Sequence, residues 1–144
     1  MSSANWQEMH LQALTSAASE AEFFKVLTKI GRELGFDYCA YGMRMPLPVS
    51  NPKMFMLNNY SQAWQERYVK ENYLAIDPTV THGLQSVAPL TWRDSMLKSS
   101  MSPFWDDARG HGLRVGWAQS SIDVRVILSQ SANLALACCN SSKV

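Results

Sequence analysis

Tyr60-Ser-Gln-Ala-Trp64-Gln-Glu-Arg-Tyr68, followed by Tyr73-Leu-Ala-Ile-Asp77-Pro78-Thr79, is the stretch on which the reading of this chain turns. Tyr60, Trp64 and Tyr68 are four apart, and a helix places residues at that spacing on one face. The helix is predicted over about Ser61 to Glu71. Asp77 before Pro78 predicts a second start, with Asp as N-cap and proline at the first helical position. The side chains also have hydrogen-bonding character. An indole donates one N–H, a phenol donates or accepts, and a carboxylate accepts. Together they suit a small molecule that carries carbonyls and an amide N–H. Plainer roles fit the same residues: Trp64 and Tyr68 as core of an amphipathic helix, Asp77 as a cap.

Outward from this stretch, the pattern alternates between helix and strand. A weak helical pattern covers residues 5–15. Ser19-Glu-Ala-Glu22 reads as a capping box, followed by Phe23, Val26, Leu27, Ile30 and Leu34 at helical spacing and by Gly35, suited to a left-handed cap. Residues 36–44 read as a strand, and Met45 to Pro52, with three prolines, as a loop. Lys53 to Leu57 is a second predicted strand. Past the aromatic helix, a short helix runs from Asp77-Pro78 to about Gly83, with a strand at 87–91 and a helix at 102–110 closed by Gly110 and Gly112. Strands follow at 113–122, 124–128 and 134–139. This order implies an antiparallel sheet with helices packed on its faces.

The bulk composition excludes several classes. The 144 residues suit one domain that buries roughly 70% of its unfolded surface. Thirteen basic and twelve acidic residues leave no field to draw the chain to nucleic acid or an acidic membrane. No signal-peptide pattern and no apolar run of ~20 residues appears. Cys39, Cys138 and Cys139 match neither a disulfide framework nor a zinc pattern, which fits a reducing cytoplasm. His82 and His111 lack metal-ligand spacing, and Ser120-Ser121 has neither a nucleophile-elbow setting nor an evident base. Neither catalysis nor a cofactor or metal is expected.

Leu34-Gly-Phe-Asp-Tyr-Cys-Ala-Tyr-Gly-Met-Arg-Met-Pro-Leu-Pro-Val-Ser-Asn-Pro52, with the spaced set Trp64, Tyr68, Asp77, Pro78, Trp92 and Gly116, resembles the autoinducer-binding domain of LuxR-type quorum-sensing regulators. The likeness runs from the first helix to about Arg125, and residues beyond it diverge. It implies an α/β (α+β) fold: an α/β/α sandwich around a five-stranded antiparallel sheet, spanning residues 1–144 as one autoinducer-binding domain. The implied ligand is an N-acyl-homoserine lactone, held between the sheet and the helices after strand two.

The resemblance also implies individual roles. Trp64 donates to the lactone carbonyl, Asp77 accepts the amide N–H, and the Tyr60 hydroxyl donates to the amide carbonyl. Tyr68 lies along the acyl chain, Thr79 supports the head-group network, and Trp92, Phe104, Trp105 and Leu113 enclose the ligand. Gly116 permits close approach. Met43, Met56 and Leu113 are expected to set pocket depth, and Ser129 or Ser131 to stand near the acyl carbonyl. A chain of this length leaves no room for the family's DNA-binding helix-turn-helix domain. The expectation is therefore a signal receptor without direct DNA binding, which titrates signal or forms a homodimer or a heterodimer with a LuxR-type regulator. A ligand-free dimerisation module is the alternative.

Overall fold

The computed structural model describes residues 3–45, 53–93, 103–123 and 132–140. Two helices open the chain, α1 (Ser3–Thr15) and α2 (Glu20–Glu33), followed by β1 (Tyr38–Met45) and β2 (Lys53–Asn58). Next come α3 (Gln62–Lys70), a 3₁₀ turn (Tyr73–Ala75), α4 (Pro78–Gln85), β3 (Leu90–Trp92) and α5 (Pro103–Gly110). The last strands are β4 (Val115–Asp123) and β5 (Ala132–Asn140). They form one sheet in the order β2-β1-β5-β4-β3, with every neighbouring pair antiparallel. The final strand thus sits at the centre, flanked by β1 and β4.

Local chemistry sets the helix ends. At α2 the Ser19 hydroxyl accepts from the Glu22 N–H (3.1 Å) and the Glu22 carboxylate accepts from the Ala18 N–H (2.8 Å). The other end is a Schellman motif. Gly35 takes φ +91°, its N–H reaches the Arg32 carbonyl, and the Phe36 N–H reaches the Gly31 carbonyl. The same device ends α5, where Gly112 is at φ +90° and the Leu113 N–H returns to the Ala108 carbonyl. This turn takes up Leu113 and Arg114, so β4 begins at Val115, two residues later than the predicted strand. Likewise β3 begins at Leu90 rather than Val87: the Ala88 N–H is held by the Ser86 hydroxyl, and His82 Nε2 meets the Ala88 carbonyl. The predicted strand at 124–128, Ser129, Ser131 and the proline loop beyond Met45 lie outside the described residues.

Period-two alternation divides β1 between two layers. Cys39 and Tyr41 face α2. A methyl group added at Gly31 would overlap the Cys39 sulfur, and the Phe23 and Tyr41 rings meet edge-on at 5.3 Å. Tyr38 and Ala40 face the opposite side, toward α3 and α5. Helix α1 meets α2 at Glu33, whose carboxylate lies 2.8 Å from Nε2 of buried His10 and accepts from the Trp6 indole (3.3 Å).

Candidate ligand-binding site

Between the even-numbered face of β1 and the helices after β2 lies a cavity of about 470 Å³, within the range of small-molecule pockets. Its lining includes all nine residues expected to surround a ligand: Tyr60, Trp64, Tyr68, Asp77, Thr79, Trp92, Phe104, Trp105 and Leu113. Ser61 caps α3 by accepting from the Trp64 N–H (3.3 Å), which directs Trp64 inward. There the indole is 2% exposed. Its ring lies within 6 Å of Tyr68, Tyr73, Phe104 and His111. Tyr60 is not on that helix, contrary to the spacing argument. It precedes the Ser61 cap, and its ring packs near Tyr38 at 6.0 Å. The backbone turn at the cap, rather than helical periodicity, brings it to the cavity.

Asp77 caps α4 and at the same time lines the cavity. As N-cap of α4, its Oδ1 accepts from the Thr79 N–H (2.8 Å) and the Thr79 hydroxyl (2.7 Å). Its Oδ2 accepts from the Tyr68 hydroxyl (2.7 Å). Pro78 at the first helical position fixes the approach of the chain. An ionised carboxylate has about four acceptor sites, so Oδ2, with one short bond, retains a lone pair. Burial pushes the Asp77 carboxyl above the ordinary aspartate range, and its hydroxyl and N–H donors pull it only partly back. Burial and the adjacent Asp77 push the Tyr68 phenol far up, so Tyr68 stays a donor. The sequence reading set Tyr68 along an acyl chain and did not foresee its hold on the carboxylate.

The opposite wall belongs to α5 and β3. Phe104 and Ala108 are buried, and the Trp92 and Trp105 rings lie 5.6 Å apart. Gly116 pairs with Trp92 across β3 and β4, and a Cβ there would overlap the Trp92 indole. A polar clamp ties α5 to α3: Asp107 Oδ2 accepts from Arg67 Nε (2.6 Å) and from the Tyr73 hydroxyl (2.7 Å). Desolvation raises the Asp107 carboxyl, but the Tyr73 and Arg67 donors outweigh it and leave the group below its ordinary value.

Of the floor, only Met56 was foreseen. Ala40, Gly42 and Arg44 of β1 line the cavity beside Met54, Met56 and Asn58 of β2. Met43, expected to set pocket depth, faces the other way and lines a groove beside α2 with Phe23 and Tyr41. The alternation of β1 carries this information once Cys39 is assigned to α2. Among the described residues no cluster of three or more His, Cys, Asp or Glu side chains could hold a metal ion. No helix among them is long and apolar enough to cross a membrane.

Residues 19–125 match the family described as the autoinducer binding domain. The chain belongs to this family. The domain is 49% identical over 120 residues to the transcriptional activator protein AnoR of Acinetobacter nosocomialis, covering 83% of this chain and 50% of AnoR. It is similar to the crystal structure of CepR2, an N-acylhomoserine lactone dependent LuxR family transcription factor of Burkholderia cenocepacia. That match has a TM-score of 0.77 and 28% identity, over 94% of this chain and 76% of CepR2. SdiA, known from Escherichia coli, in complex with octanoyl-rac-glycerol is also similar, with a TM-score of 0.78, 28% identity, and 99% and 56% coverage. The chain spans about half the length of the curated relatives it matches. Those relatives are quorum-sensing and transcriptional regulators, not enzymes.

Proposed function

We propose that this domain is a receptor for an N-acyl-homoserine lactone. The observation that carries this reading is Asp77: a buried carboxylate with an acceptor site to spare, in the wall of a mostly apolar cavity that Trp64 and Tyr60 also line. An amide N–H on Asp77 Oδ2 would make a charge-assisted bond, worth about 1.5–3 kcal/mol net. The Trp64 indole and the Tyr60 hydroxyl supply donors for the lactone and amide carbonyls, and Thr79 and Tyr68 orient the carboxylate. Trp92, Phe104, Trp105 and Leu113 enclose the head group. The acyl chain lies over the floor, where each buried methylene adds about 0.8 kcal/mol.

The open cavity favours ligand binding over a collapsed module that acts only as a dimerisation partner. CepR2 is lactone dependent by its description, and SdiA holds an octanoyl ester of glycerol. Both support a ligand with an acyl tail and an oxygen-rich head. Relatives named as transcriptional regulators are about twice as long. By likeness to those regulators, signal binding here is read out as a change in transcription.

The test is affinity for a panel of acyl-homoserine lactones of graded length, followed by tryptophan fluorescence. Asp77→Ala is expected to weaken binding at least tenfold. Unchanged affinity in that variant, with the fold intact, overturns the assignment.

A further inference from the structure

The cavity floor ends at a basic residue, Arg44. Three β1–β2 pairs step along it: Ala40 with Asn58, Gly42 with Met56, and Arg44 with Met54. Asn58 leads directly into Tyr60, whose amide it holds (3.2 Å), so the Ala40 row lies nearest the polar head site. Arg44 is about 13 Å further along the strand, at ~3.3 Å per residue. Among the described residues it is the only basic one lining the cavity, and Asp77 is the only acidic one. The two are not paired. Asp77 is engaged by Thr79 and Tyr68, and no carboxylate among the described residues forms an ion pair with Arg44. Arg44 is half-buried beside methionine.

A guanidinium is always charged, carries five N–H donors and accepts nothing. Holding donors against apolar surface is unfavourable unless an acceptor reaches them. An unsubstituted hydrocarbon tail offers none, and its end would meet a charge. We propose that Arg44 is a specificity residue that donates to an oxygen, hydroxyl or keto, on the distal half of the ligand's acyl chain. The inference rests on the lactone reading above and narrows it to oxygenated tails. The competing arrangement is a guanidinium that snorkels to water and leaves only its methylene stem in the pocket.

Competition binding with lactones of one chain length decides between them, using a plain chain and a series with a single hydroxyl walked along it. The proteins are the wild type, Arg44→Met, which keeps a similar stem without donors, and Arg44→Lys, which keeps the charge without the fork. In the wild type one distal hydroxyl position is expected to bind at least tenfold tighter than the plain chain. Arg44→Met should abolish that preference and bind the plain chain at least as well as the wild type does, and Arg44→Lys should fall between. An oxygen preference equal in wild type and Arg44→Met overturns the inference, as does a preference confined to carbons beside the amide. Failure of folded wild-type protein to bind any lactone overturns the lactone reading itself.

Discussion

Gly42 and Gly116 lie on the same face of the sheet for opposite reasons. At Gly116 an added methyl would occupy the Trp92 indole, so the glycine exists to let that ring lie against the strand. At Gly42 an added Cβ meets, among the described residues, only the Phe55 carbonyl, at an ordinary 3.8 Å, and the space above it belongs to the cavity. Gly116→Ala is expected to cost about 1–3 kcal/mol in urea unfolding, since overpacking must displace the indole. Gly42→Val should leave unfolding within about 0.5 kcal/mol of wild type and weaken long-chain lactones at least tenfold. A large stability loss at Gly42 would mean that it serves packing rather than space for the ligand. The family resemblance marked Gly116 as a site of close approach, but nothing marked Gly42, whose role depends on which face of β1 the helices leave empty.

Among the elements, α5 is held by a side-chain clamp. Asp107 accepts from Arg67 of α3 and from Tyr73 of the 3₁₀ turn, and α5 in turn presents Phe104 and Trp105 to the cavity. Asp107→Ala leaves the buried Tyr73 hydroxyl without its acceptor, a loss of about 1–3 kcal/mol that urea unfolding would read. Affinity for lactone should fall with it, because the wall is freed. The Asp107 carboxyl is lowered in the folded state, so its contribution is present above the ordinary aspartate value of ~3.9 and is lost as pH falls through the lowered folded value. In the Ala variant that acid-side loss should vanish. The chain declares several helix ends openly, because caps are local: Ser19 with Glu22, Gly35 and Asp77-Pro78 all signal within four residues. The Asp107 clamp joins residues 40 apart, and the central place of β5 joins Cys139 to both Tyr38 and Gly116. Pairings of that span leave no periodic trace, which is why neither was readable beforehand.

At the scale of the whole molecule, Asp77 ties pocket occupancy to stability with a sign opposite to Asp107. Its folded-state pKa is raised chiefly by burial, so the ligand-free fold holds a proton that the unfolded chain gives up more readily. Stability of the empty domain therefore falls as pH rises from the ordinary aspartate range (~3.9) through the raised folded value. An amide N–H from a ligand favours the ionised carboxylate and lowers that pKa again. Binding should then release a proton within this window, and affinity should rise with pH until it levels off above the ligand-free value. Because ligand binds only the folded state, saturation adds stability by mass action, about 2.7 kcal/mol at one hundred times the dissociation constant. Thermal unfolding with and without lactone across this pH window checks the argument: the ligand-induced rise in midpoint should grow with pH in the wild type. In Asp77→Asn, which retains a capping oxygen without an ionisable proton, the rise should be small and flat. A wild-type shift independent of pH would mean that the ligand's N–H does not meet Asp77, and the head group would then have to be oriented by Trp64 and Tyr60 alone.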